Sequence, residues 1–343
     1  MIIHAFDSAR AAVLRGVLHA PFVGRAIRRR TSRIALRVAT AIAFAFALAI
    51  IAPAATLAIS PLVLGVPHIA SSVRYLVLRR DLPRAWIAVL VSASFALMTF
   101  RIAEQYGSSP RVLARAEVVV AALLALVAAC HGRRTRWLVP LVALASALAI
   151  AHPTGARLVS VHVHNLAAVV VWALVMQRGR AMLPLVCLAG SLALLLFGAF
   201  TPVFPAALGV DVSVVGAWLV PGASAAIAVP LVLAHVFTDS VHYAFWLGVI
   251  PEETLRNEGT LTFRMTWRAL VRDFGRAGLA IVIAFTLGFA ALALLGMARA
   301  RGAYFAIAGF HGYIEGAMLI YLVGEASTSR SEMGRAHRAD DLR

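Results

Sequence analysis

The chain has 343 residues, of which 62% are hydrophobic and 14% are charged, whereas soluble domains are about half apolar and about a quarter charged. Its mean hydropathy of +0.87 excludes a soluble globular enzyme. The formal charge is +17, and all 32 basic residues are arginine. These arginines stand in short clusters between long apolar runs, a distribution that sets membrane topology and argues against a nucleic-acid partner.

Ten apolar runs are candidates for membrane-crossing helices, because a bilayer core of about 30 Å needs about 20 mostly apolar residues. They are 38–59, 61–78, 85–100, 113–130, 137–151, 158–176, 181–199, 223–249, 279–298 and 303–323. With the N-terminus inside, 25 of the 32 arginines fall on the cytoplasmic side, as the positive-inside rule requires. The sequence therefore predicts an all-α, polytopic transmembrane helix bundle of about ten spans in the inner (cytoplasmic) membrane, with both termini cytoplasmic.

Three regions are predicted along the chain. Residues 1–33 form a basic, amphipathic cytoplasmic segment, residues 34–325 form the transmembrane domain, and residues 326–343 form a polar cytoplasmic tail. Within the transmembrane domain, arginines recur every four residues over 261–277, opposite an apolar face. This pattern predicts a helix that lies on the cytoplasmic leaflet, with membrane lipids as its partners.

Six histidines fall inside the predicted spans, where an ionisable side chain costs roughly 2.5–3.5 kcal/mol on insertion scales. They are His68, His162, His164, His235, His242 and His311. One such residue is readily explained by a hydrogen bond between helices, worth about 0.6 kcal/mol on average. Six in one chain favour a functional site over six separate structural contacts.

The eighth run carries the most informative spacing. His235, Asp239, His242 and Trp246 are separated by four, three and four residues. This spacing places them on one stripe of a helix. Two imidazoles and a carboxylate are therefore expected to face the same direction over about 10 Å, given a rise of 1.5 Å per residue.

Two further groups lie in other runs. His311 and Glu315 form an i, i+4 pair, whose side chains can bind one metal together or hydrogen-bond to each other. His162 and His164 are two residues apart, which separates them by about 200° around a helix. They do not easily bind the same ion.

These residue types indicate a metal site. Neutral imidazole binds iron, copper and zinc, and carboxylates shift the preference toward iron or manganese. Histidines from four helices that converge with Asp239 and Glu315 would match a buried non-haem iron site, in which each carboxylate is a ligand or orients an imidazole. All six histidines are thus predicted metal ligands, and Asp239 and Glu315 are the predicted catalytic residues.

One local motif resembles a known family. Gly65-Val66-Pro67-His68 resembles the G-x-P-H element of the bacterial Brp/Blh family, polytopic membrane proteins that cleave β-carotene to retinal with iron held by histidines. The segment His242-Tyr-Ala-Phe-Trp246 is similar to that family's histidine- and tryptophan-containing segments. The family element continues with Gly and Asp where this chain reads Ile69-Ala-Ser-Ser-Val-Arg74. The resemblance implies that His68 is an iron ligand.

The leading hypothesis is an integral membrane, non-haem iron oxygenase or related oxidoreductase that acts on a carotenoid, isoprenoid or other lipophilic substrate. Two alternatives stay open. A haem b protein would also use imidazoles from facing helices, and the His162/His164 pair looks like the arrangement in haem–copper oxidases. A proton-coupled transporter would use the same His, Asp and Glu side chains as a relay.

Overall fold

The computed structural model is almost entirely helical. It describes residues 2–18, 24, 29–105, 107, 109–131, 136–173, 182–200, 206–207, 210–211, 216, 219–220, 222–254 and 262–323. The predicted tail, 326–343, lies outside the described residues. The chain divides into two compact units: the first comprises Met1–Arg80 and Ala181–Leu295, and the second comprises Asp81–Arg180 and Gly296–Arg343.

The helices are named here in chain order. They are α1 (Ile2–Leu18), α2 (Arg30–Ile51), α3 (Pro53–Val63), α4 (Gly65–Val73), α5 (Arg84–Gln105), α6 (Pro110–His131), α7 (Val139–Ala151), α8 (Pro153–His164), α9 (Ala167–Val170), α10 (Met182–Leu196), α11 (Ala225–Ala244), α12 (Ile250–Glu253), α13 (Phe263–Leu295), α14 (Met297–Ala308) and α15 (311–323). π-Helical turns follow α4 (Arg74–Leu78) and α11 (Phe245–Val249), and a 3₁₀ turn (Arg136–Leu138) precedes α7. Two short strands, β1 (Ala206–Ala207) and β2 (Val210–Asp211), form an antiparallel pair.

The first unit is organised around α11, which packs against α2, α3 and α10. Two polar contacts fix helices at its edges. The Asp7 carboxylate of α1 accepts from the backbone amides of Phe263 and Arg264 at 2.7 and 3.2 Å, which satisfies amides that the start of α13 leaves unpaired. On α2, Arg33 pairs with the fully buried Glu252 of α12 at 2.9 Å.

The second unit is organised around α6, which packs against α5, α7 and α8. α14 packs against α5. α8 and the helical residues after it, Ala167–Ala173, meet at a bend of 49°, which falls just after His164.

Six helical stretches among the described residues are long and apolar enough to cross a membrane, or eight if each of two bent helix pairs counts as one span. The helical class predicted from the sequence is therefore confirmed, and the described residues supply six to eight candidate spans. Two further apolar helices, Arg136–Ala151 and Met182–Leu196, overlap predicted runs but have only 10–17 residues, fewer than a membrane-crossing helix needs. Ten crossing spans and cytoplasmic termini stay predictions.

The outer surfaces of these helices are apolar. Phe197 and Leu294 are 88% and 89% exposed, and the apolar window of α13 is only 11% buried. Large contiguous apolar surfaces are rare on soluble monomers, so these side chains match contact with lipid chains. Other polar side chains, by contrast, are buried within each unit, among them His68, Asp239 and Glu117.

Proline and glycine set the breaks between helices. The predicted boundary between the first two runs, at residues 59–61, is wrong, because α2 ends at Ile51 and Pro53 begins α3. Proline fits the first turn of a helix, where its missing amide costs nothing. In α13, Gly275 has φ +70° and ψ 170°, a conformation that glycine adopts without strain, and it divides the predicted interfacial segment from the apolar remainder.

Candidate metal centre

Two histidines of the first unit face each other. His68 on α4 is 1% exposed and His242 on α11 is 0% exposed. Their ring centroids are 5.2 Å apart, and the rings meet edge to face at 75°. A ligand nitrogen of each lies within 4.8 Å of one on the other. Because metal–nitrogen bonds are about 2.0–2.1 Å, two nitrogens on one ion lie at most about 4.2 Å apart, so a small ring rotation admits an ion.

A bend in the chain positions His68. α3 and α4 meet at 54°, and Pro67 in the first turn of α4 lacks the amide that would bond the carbonyl of Val63. The Leu64 carbonyl accepts from the His68 backbone amide at 2.9 Å and lies 3.2 Å from His68 Nδ1. A carbonyl can only accept, so Nδ1 carries the proton. Nε2 of the neutral ring then holds the lone pair that a metal needs.

Aromatic rings and a π-helical turn position His242. His242 lies in the span-length helix Ala225–Glu253, and 61% of the apolar window of that helix is buried. The Tyr243 ring lies 4.5 Å from the His68 ring, and the Trp246 ring lies 6.4 Å from the His242 ring. Ser71 of α4 donates to the Trp246 carbonyl at 2.5 Å. This bond ties α4 to a π-helical turn, a feature that is frequent at functional sites.

The other polar members of the predicted stripe on α11 are also buried. Asp239 is 8% exposed and His235 is 7% exposed. The Ser60 hydroxyl of α3 donates to Asp239 Oδ2 at 3.2 Å. Asp239 therefore has a polar partner on a neighbouring helix, a contact that the local spacing on α11 did not predict.

The second unit holds another facing pair. His164, at the end of α8, and His311, at the start of α15, have ring centroids 5.2 Å apart at 88°. Nδ1 of each ring lies 3.2 Å from a backbone carbonyl, that of Val161 and of Ala308 respectively. By the same reasoning as for His68, both rings are held in the tautomer that leaves Nε2 for a metal.

A carboxylate stands beside this second pair. Glu315 is 1% exposed, and its Oε1 lies 3.8 Å from His311 Nε2, as the i, i+4 spacing predicts. Two imidazoles and one carboxylate are the donor types of many non-haem iron sites. His162 is half-buried and lies two residues before His164, so it projects from α8 about 200° away from that ring.

The second unit also contains a charged cluster that the sequence did not predict. Glu117 is 1% exposed and accepts from Arg101 at 2.7 Å and from the Tyr313 hydroxyl at 2.7 Å. Arg157 lies 3.3 Å from its other oxygen and also binds Glu104 through two bonds of 2.9 and 2.5 Å. The cluster joins α5, α6, α8 and α15. The sequence places Arg101, Glu104 and Arg157 near span ends but gives no sign that their helices meet.

No protein-family model, curated protein or solved structure matches the chain. The long apolar helices indicate an integral, multi-pass membrane protein. Each unit contains a pair of histidines whose rings meet edge to face. The chemistry of those pairs is the basis on which a function can be assigned.

Proposed function

We propose that this protein is an integral membrane oxidoreductase or oxygenase that uses non-haem iron held by its intramembrane histidines. The observation that supports this most is the His68/His242 pair, two imidazoles with almost no exposure and donor nitrogens within 4.8 Å. Ionisable residues at membrane depth are expensive and mark functional sites by default. A bound ion would offset that cost.

Iron is the metal that the donor types favour. Imidazole alone suits zinc, copper and iron, and the neighbouring carboxylates Asp239 and Glu315 shift the preference toward iron or manganese. Four of the six predicted ligands lie in facing pairs, namely His68 with His242 and His164 with His311. His162 and His235 remain proposed ligands on the sequence pattern alone.

The two carboxylates are the proposed catalytic groups. Asp239, held by Ser60, and Glu315, beside His311, orient imidazoles or exchange a proton with the substrate. Iron, when bound, supplies the activation of dioxygen. The apolar helix walls bind a lipophilic substrate and exclude water. The Brp/Blh-like element around His68 supports a carotenoid or isoprenoid as the substrate class, and the distribution of arginines supports the inner membrane.

Metal analysis of the purified protein tests this proposal. The full chain, extracted in mild detergent without added metal or chelator, is expected to contain iron at near-stoichiometric level and to show no Soret band. A preparation without iron, copper or manganese would overturn the proposal. A Soret band would replace it with a haem b protein, and proton-coupled flux through metal-free protein in vesicles would replace it with a transporter.

Gly312 offers a test of the second pair. A Cβ built at Gly312 would lie 3.1 Å from Cγ and 3.2 Å from Cβ of His164, well inside the usual 4.0–4.5 Å contact range. Gly312→Ala is therefore expected to displace the His164 ring. We expect the iron affinity to fall by about 10- to 100-fold, the loss typical of a disturbed supporting shell, measured by competition with a chelator.

Gly316→Ala is the matched control. Gly316 lies one turn later on α15, and nothing lies within 4 Å of the position of an added Cβ. Both substitutions add one methyl group to the same helix and raise its helix propensity equally. If the two variants bind iron with equal affinity, His164 does not contribute to the metal site.

A further inference from the structure

A cavity of about 1290 Å³ lies within the first unit, and the rings of His68 and His242 do not line it. Its walls are the π-helical turn Phe245–Val249, the residues of α4 and its following turn, and α13 on both sides of the kink at Gly275. The sequence assigned to this region only a basic helix that touches lipid head groups. The cavity adds an enclosed volume beside that helix, in which a ligand can bind.

Part of the cavity lining is strongly cationic. Among the described residues, five arginines and one acidic residue, Asp273, line the cavity, and the arginines are Arg37, Arg74, Arg79, Arg268 and Arg272. The Asp273 carboxylate accepts from Arg74 at 2.6 Å, from Arg79 at 2.8 Å and from Arg272 at 3.1 Å. Arg37 pairs instead with Glu252 at 3.3 Å. The single carboxylate of Asp273 compensates its three guanidinium partners only in part, so a surplus of positive charge from these arginines faces the cavity.

Another part of the lining is apolar. Beyond the kink, α13 contributes Leu279, Val282, Ile283 and Leu287 to the wall. Ile283 and Leu287 are 39% and 64% exposed, so the wall continues into the surface that meets lipid chains. A guanidinium cluster and an aliphatic wall in one cavity match a molecule with an anionic head and a hydrocarbon chain.

We propose that this cavity binds one anionic phospholipid, with its phosphate at the arginine cluster and an acyl chain along the apolar wall of α13. Arginine binds phosphate through paired, charge-assisted hydrogen bonds. Arg268 and Arg272 line the cavity, whereas Arg264 and Arg276, on the same helix, do not. This site goes beyond the proposed iron chemistry and does not depend on it.

Those four arginines supply a matched pair of variants. All four are exposed and carry the same charge along α13, with Arg276 directly after the kink at Gly275. A basic segment that only touches head groups would therefore lose equal affinity in either double variant. The full chain in detergent is titrated with phosphatidylglycerol and with phosphatidylcholine, and bound lipid is counted by native mass spectrometry. The wild type is expected to bind one phosphatidylglycerol in preference to phosphatidylcholine.

We expect R268Q/R272Q to weaken phosphatidylglycerol binding by about tenfold or more, the loss of at least one charge-assisted hydrogen bond, and R264Q/R276Q to change it less than about twofold. Equal losses in the two double variants would overturn the cavity site. Inorganic phosphate is the second probe: if it competes as strongly as the lipid, the apolar wall contributes nothing and the proposal of a lipid is overturned. Iron content should be unchanged in all variants, so failure here is distinct from failure of the iron proposal.

Discussion

Replacing His242 with alanine is expected to abolish iron binding in the purified protein. The ring is fully buried and its donor atoms lie within 4.8 Å of those of His68. Loss of a ligand should exceed the roughly 10- to 100-fold cost of losing a supporting contact. His68→Ala should have the same effect, because the two rings form one pair. Iron per chain, measured after equal purification, checks both variants.

His152→Ala is the control for this experiment. His152 is exposed and ends α7, so its loss changes the histidine count without touching either pair. It should keep the iron content of the wild type. The far-ultraviolet circular dichroism of His242→Ala should also match the wild type, and a folded His242→Ala protein that keeps its iron would contradict the proposed site.

Substitutions in the second pair then decide how many ions the chain holds. The sequence predicts one site that is shared by His68, His235, His242, His311 and one of the His162/His164 pair. That prediction requires one iron per chain, lost in His242→Ala and in His311→Ala alike. Two irons per chain, with one lost in each variant, would assign one ion to each facing pair. Unchanged iron in His311→Ala would restrict the site to the first unit.

The helical framework is predictable because its signal is local. The runs 85–100 and 113–130 correspond to α5 (Arg84–Gln105) and α6 (Pro110–His131), and every predicted run overlaps a helix or a bent pair. The breaks are harder to predict. An apolar run continues through Ala52 and Leu64, and only the backbone chemistry of proline divides it there.

The candidate site is predictable only where it is local. The contact between His311 and Glu315 follows from their spacing along one helix turn. The choice of His68 as the partner of His242, and of Ser60 as the donor to Asp239, depends on how separate helices pack. The charged cluster around Glu117 depends on the same information, because three helices must meet before its charges can pair.

Glu117→Gln is expected to destabilise the protein by about 3–5 kcal/mol, the usual cost of removing one partner from a buried ion pair. Glu117 is 1% exposed. Its negative charge and that of Glu104 together balance the positive charges of Arg101 and Arg157. The four charges sum to zero, so the neutral amide leaves one uncompensated positive charge in a low-dielectric interior. Unfolding by SDS in mixed micelles, followed by circular dichroism, measures the change in the free energy of unfolding.

Two further variants separate charge balance from other causes. Asp81→Asn removes an exposed carboxylate of the same unit and should shift stability by no more than about 0.5 kcal/mol. Adding Arg101→Gln to Glu117→Gln makes the cluster neutral again, so the double variant should recover part of the loss instead of adding to it. Additive losses would mean that Glu117 acts through its hydrogen bonds alone, and a Glu117→Gln protein as stable as Asp81→Asn would show that the cluster is not desolvated. Partial recovery, by contrast, would establish that the helices of the second unit are held together by a balanced set of buried charges.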